Sequence, residues 1–76
     1  VQHGEVISSI ADAKAGDIAF FKNENDKITH VGILISNDKI IHSSGKVRID
    51  TISSTGIFNK EIGIYTHSLS CIKRIG

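Results

Sequence analysis

The stretch from Ile28 to Ser44, ITHVGILISNDKIIHSS, decides how this chain is read. Val31, Ile33, Ile35, Ile40 and Ile41, with Leu34 among them, give it a density of β-branched residues that favours strand over helix. Ser36-Asn37-Asp38 supplies turn chemistry between the two apolar runs. The stretch is therefore a hairpin, with His30 on its first strand and His42 on its second. Side chains alternate faces along a strand, so the length of the loop decides whether the histidines meet. A two-residue turn would pair Ser36 with Lys39 and put the imidazoles on opposite faces. A three-residue loop, Ser36 to Asp38, pairs Ile35 with Lys39 and sets His42 opposite Gly32. His30 then becomes the diagonal neighbour of His42, roughly 7 Å away and within reach of an aromatic ring. Such loops end in a left-handed residue, which Asp tolerates better than most. The three-residue loop predicts ring nitrogens in hydrogen-bond range, and Gly32 predicts open space opposite His42.

Seventy-six residues make at most one small domain, spanning 1–76. A chain this short buries only about 60% of its unfolded surface. Its single cysteine excludes an internal disulfide, and there is no C-x-x-C pair or metal-finger spacing. A net charge of +1 without a Lys/Arg cluster argues against a nucleic-acid partner. No apolar run reaches membrane length, and no signal peptide is legible. Val1 in place of Met predicts a processed or cleaved piece with something upstream of it.

Outward from the hairpin, Asp17–Lys22 is apolar through its middle and reads as a strand, after a helical turn over Ile10–Lys14 stopped at Gly16. Val47–Asp50 alternates like a strand, and residues 69–75 form another. Thr51–Gly63, with scattered Ser, Thr and Gly, reads as a loop with one short helix near Phe58–Ile62. The expectation is five short antiparallel strands near 17–22, 29–36, 39–44, 47–50 and 69–75. No amphipathic helix of three turns is present to cover the sheet. The face that carries His30 and His42 is expected to lie partly uncovered, or to be covered by residues outside this chain.

Ala15-Gly16-Asp17-Ile18-Ala19-Phe20-Phe21, Thr29-His30-Val31-Gly32-Ile33, Ile41-His42-Ser43-Ser44 and the closing Lys73-Arg74-Ile75 together resemble the C-terminal half of the NlpC-type cell-wall cysteine peptidases. The resemblance implies an α+β, papain-like fold, to which this chain brings a small half-barrel of about five strands. It implies hydrolysis of γ-D-glutamyl to diamino acid bonds in bacterial peptidoglycan stem peptides. His30 would be the base and His42 its orienter, with Ser43 and Ser44 touching substrate. The family's nucleophilic cysteine sits upstream in a short Asp-Cys-Ser type motif, which this chain lacks, so the chain alone is expected to be inactive. The partners implied are a stem peptide or muropeptide and the N-terminal portion of the domain or a second chain. No cofactor and no metal are implied. The setting implied is the bacterial cell envelope, periplasmic or secreted.

Acyl transfer from an amide needs a thiolate, an imidazole that takes and returns its proton, and an oxyanion site. A lone histidine on an apolar strand is more often structural; two, on paired strands with these flanks, favour the catalytic pair. His3 and His67 read as solvated loop residues, Cys71 as ordinary core, and Lys73 and Arg74 as a solvated strand end. Asp17 reads as the cap of the preceding turn. Arg48 reads as the partner of Asp50, or of a substrate carboxylate. Two other readings stand beside the peptidase. One is an inactive module that holds cell-wall peptides. The other is a metal site of His30, His42 and His67 or an acid, which no helical His pair or metal motif supports.

Overall fold

A computed structural model describes residues 5–75; His3 lies outside them. The chain is almost entirely β. Its strands are β1 (Glu5–Ile7), β2 (Ile18–Lys22), β3 (Ile28–Leu34), β4 (Lys39–Ser44), β5 (Lys46–Ile52), β6 (Gly56–Asn59) and β7 (Ile64–Arg74). Only a 3-10 turn at Ile10–Asp12, capped by the Ser9 side chain, interrupts them. No helix among the described residues is long and apolar enough to cross a membrane.

The architecture corrects the α+β, papain-like expectation of a five-strand half-sheet. Strands β2 to β7 close into a six-stranded antiparallel barrel, with β1 as an extra strand on β7. Closure comes from β7, the eleven-residue last strand. Its first part, Ile64–Ser68, pairs with β6, and its second part, Ser68–Lys73, pairs with β2. Three register shifts supply the bends. Thr29 is extra where β3 meets β2, Thr66 where β7 meets β6, and Ser70 where β7 meets β2. An extra residue of this kind bends its strand and increases the local twist, which closure of a small barrel requires. No helix forms near Phe58–Ile62. Ile57 is fully buried on β6, and the chain returns into β7 through a turn closed by the Gly63 amide on the Asn59 carbonyl, 2.8 Å.

Period-two alternation sorts the side chains. Ala19 and Phe21 of β2, Leu34 of β3, Ile40 of β4, Ile52 of β5, Ile57 of β6 and Ile72 of β7 fill the interior, joined by Ala13. The opposite set points outward. Ile18, Ile33, Ile41 and Ile49 stand side by side across β2, β3, β4 and β5. Ile33 and Ile49 are more than half exposed. The uncovered apolar surface is thus the outer face, not the face of the histidines: that one points inward and is covered by β6 and β7 of this same chain.

The two ends of the barrel chain are tied by one ion pair. Arg74 donates to both carboxylate oxygens of buried Asp17, at 2.9 and 2.8 Å, and to the Asp12 carbonyl. Asp17 also accepts from the Lys14 amide, 2.8 Å, capping the preceding turn as expected. Arg74 is therefore not the solvated strand end that its position suggests. The guanidinium holds the Asp17 carboxyl below its usual range, outweighing the desolvation that opposes it. A carboxyl depressed by folding contributes stability above its unfolded value, about 3.9, and loses it as pH falls through the lower folded value. In thermal unfolding, the gap in Tm between wild type and Asp17→Asn should be constant above about pH 5 and narrow below about pH 4. A gap that does not change with pH would show that the pair contributes nothing electrostatic.

Candidate functional site

The loop of the central hairpin has three residues. The Ile35 amide donates to the Lys39 carbonyl at 2.9 Å, and Leu34 pairs with Ile40, Ile33 with Ile41 and Gly32 with His42. This register puts His30 and His42 on the same inward face. Nε2 of His30 and Nδ1 of His42 lie 2.9 Å apart, with the rings edge to face. The space beside Gly32 is not open. A Cβ there would fall 2.6 Å from Cδ1 of Ile40 and 3.0 Å from the Ile41 carbonyl, so glycine lets the two strands seat His42 against the core.

Asp50, Arg48, His67 and Phe21 complete the cluster. Behind His42, its Nε2 meets Oδ2 of Asp50 at 2.7 Å; both side chains are almost wholly buried. Arg48 donates through Nε to Asp50 Oδ2 at 2.9 Å and through Nη2 to Oδ1 at 3.2 Å, and Nη2 also reaches Glu61 at 2.9 Å. On the other side, His67 of β7 stacks on His30, with centroids 4.0 Å apart and planes 22° from parallel. Phe21 sits against both rings, 5.8 Å from His30 and 6.0 Å from His67. Every buried side-chain polar atom among the described residues has a partner.

Of the residues named from sequence, His30 and His42 are brought together. Ser43 and Ser44 are exposed at the end of β4, with Ser44 on the His42 side of the strand and Ser43 opposite Val47 on the outer side. Arg48 takes Asp50 and Glu61 as partners. Cys71 is not core: it is half-buried on the outer face, opposite Phe20, while the histidines occupy the inner one. From sequence, His67 stood only as a solvated loop residue or a ligand of the alternative metal site, and Asp50 only as a partner of Arg48; neither was placed beside the histidine pair. His67 is a strand residue, masked by the extra Thr66 beside it, which breaks the alternation. Asp50 carried a signal: with Arg48 two positions earlier, it places two polar side chains on the inward face of an otherwise apolar strand.

The local electrostatics favour the neutral form of His30 and His67. Burial first, and the neighbouring imidazole second, push His30 below the ordinary imidazole value. Burial and His30 do the same to His67. The Arg48 guanidinium, with His42 second, holds the Asp50 carboxyl below its usual range against desolvation. Imidazoles lowered by folding bind protons more readily in the unfolded chain, so stability falls as pH drops below about 6.5. The ring resonances of His30 and His67 should titrate with midpoints below about 6.5 in an NMR titration of the chain. Midpoints at or above that value would mean that water reaches the stack freely.

The nitrogens offered by His30, His42 and His67 lie within 4.8 Å of one another, a grouping on which a divalent ion could draw. The stacking opposes it. An imidazole binds a metal in its ring plane, and two nearly parallel rings 4.0 Å apart do not aim at one point. Coordination would require His67 to leave His30.

What the cluster can do is hold one imidazole, partly exposed, with its second nitrogen anchored to a buried, oriented partner. That is the arrangement a general base needs. The model of the NlpC/P60 family matches residues 2–67, which include both strands of the hairpin and His67. The chain belongs to the NlpC/P60 family. Membership relates it to cell-wall peptidases. No curated protein and no solved structure matches the chain. Within the NlpC/P60 match, the residues between the hairpin and His67 build β5 and β6, the elements that carry Asp50 and seat His67 over His30.

Proposed function

We propose that this chain carries the base and the orienter of an NlpC/P60 cysteine peptidase that hydrolyses γ-D-glutamyl to diamino acid bonds in peptidoglycan stem peptides, at the bacterial cell envelope. The observation that carries this reading is the 2.9 Å contact between His30 and His42 on adjacent strands of a family member. His30 takes the proton from the nucleophile and returns it to the leaving amine. His42 holds the ring at the correct angle. The nucleophile is a cysteine N-terminal to Val1, because Cys71 faces away from the histidines. Substrate approaches at the His67 side, where Lys22, Asn23, Glu24, Thr29, Thr66 and His67 line a cleft of about 350 Å³. Ser44, on the His42 side of β4, is a further contact for the peptide.

The test joins this chain to the segment that precedes it and assays release of a diamino acid from a γ-D-glutamyl peptide. Turnover that requires both the upstream cysteine and His30 supports the reading. Tight binding of the peptide without cleavage, by a protein that still folds, would select a binding module instead.

A further inference from the structure

We infer that Asp50 is a positioning residue of this site: through His42 it dictates which nitrogen of His30 is free to act as the base. The inference rests on the peptidase reading above for its meaning, but its chemistry follows from the contacts alone.

Ionised, the Asp50 carboxylate only accepts hydrogen bonds. Arg48, paired with it through two nitrogens, keeps it in that form. At 2.7 Å, His42 must therefore donate to it through Nε2–H. A neutral imidazole carries one N–H, so Nδ1 of His42 is left as a lone pair. The 2.9 Å contact with His30 then has one possible donor, Nε2–H of His30. Nδ1 of His30 is consequently the unprotonated nitrogen. The proton taken from a nucleophile arrives there. The positive charge it brings is shared toward His42 and met by Asp50, two rings away. No bond to carbon is made or broken in this relay, and the protons inside it keep their count.

Arg48 adds a second level. Its Nε–H and the Nε2–H of His42 converge on the same oxygen, Oδ2 of Asp50. In Asp50→Asn the amide oxygen serves both donors at that position, and the amide nitrogen faces Nη2 of Arg48, which gives up its bond there but keeps Glu61 as its acceptor. The tautomers are kept and the charge is lost. When Arg48 is also removed, the amide is free to turn and donate to His42. His42 then takes its proton on Nδ1, and His30 is forced to carry its own on Nδ1, where the base should be vacant. The other charged or titratable groups at the relay are Glu61, beyond Arg48, and His67, stacked on His30.

The experiment is long-range proton–nitrogen NMR on the chain at pH above the imidazole midpoints, which reads the protonated nitrogen of each ring directly. In wild type, His30 and His42 should both carry the proton on Nε2. Asp50→Asn should keep that pattern but lower the His30 titration midpoint. Asp50→Asn with Arg48→Met should move both protons to Nδ1. In the complete peptidase, Asp50→Asn should lower kcat/KM by about 100-fold with KM little changed. A proton on Nδ1 of His42 in wild type overturns the inference without any variant, whether or not the variants fold. So does an unchanged His30 midpoint in a folded Asp50→Asn. The tautomers are read without a nucleophile, so inactivity of the complete protein would count against the peptidase reading and not against this relay.

Discussion

His30→Ala should reduce kcat/KM of the complete peptidase by about 10⁴-fold or more, while Cys71→Ser leaves it close to wild type. The first half follows from what the residue supplies. His30 is the only imidazole in the cluster that is both partly exposed and anchored at one nitrogen to a buried partner. His42 is shut in behind it, and the Nδ1 of His67 is turned to the Thr66 hydroxyl at 2.8 Å. On the proposed assignment, alanine would remove the base and leave no ring placed to take over. The second half follows from strand parity. Cys71 lies opposite Phe20, and its inward-facing neighbour Ile72 lies opposite Ala19. A thiol on the outer face cannot reach the stack without breaking the β2–β7 ladder. Loss of turnover in a folded Cys71→Ser would mean that the nucleophile is misplaced. Substantial turnover in His30→Ala would remove the base from the hairpin altogether.

Gly56→Ala should be among the most destabilising single substitutions in the chain, costing at least about 3 kcal/mol and lowering Tm by more than about 10 °C. Gly56 opens β6 at φ 150°, a backbone region that L side chains rarely adopt. A Cβ there would overlap the carbonyl oxygen of His67 and crowd the Leu69 amide at 3.2 Å. Both obstacles are backbone, so neither can turn aside as a side chain would. Relief requires β6 and β7 to separate where the barrel closes, and the strand displaced is the one that holds His67 over His30. Gly63→Ala is the control: its φ is 72°, but nothing stands within 4 Å of the added carbon. It should cost about 1 kcal/mol. Equal Tm losses for the two variants would mean that the conformational penalty matters and the close approach does not.

The hairpin was legible because two signals agree in it. Period-two alternation runs unbroken from His30 to Leu34 and from Lys39 to His42, and a three-residue loop fixes the pairing between them. From those two facts the meeting of His30 and His42 follows. The closure was not legible, for a physical reason at each point. β6 is four residues long and begins at a glycine, so its only strand signal is Ile57-Phe58. β7 carries extra residues at Thr66 and Ser70, and each shifts the inward set by one position. His67, Leu69 and Ile72 face the interior at spacings of two and then three, a pattern that matches no single strand period. Without β6 and the first half of β7 the sheet looks open, and an open sheet asks for helices that this chain does not contain. The same gap left His67 reading as a loop residue or an alternative metal ligand, not as a strand residue stacked on His30. Asp50 was hidden differently: its strand was read correctly, but its reach to His42 depends on the β4–β5 register through Gly45.

Strand β7 is also synthesised after the six other strands, and three of them wait for it. β1, β2 and β6 all hydrogen-bond to it, and Arg74 reaches back 57 positions to Asp17. Until its final residues emerge, the inward faces of β2 to β5 stay open to water together with the outward isoleucine row. Little of the barrel can therefore form piecemeal during synthesis, and the wide spacing of its closing contacts places it among the slower-folding topologies for its size. A nascent chain of this kind spends its most vulnerable interval with both faces of its sheet exposed, which is when a chaperone would find the most to bind.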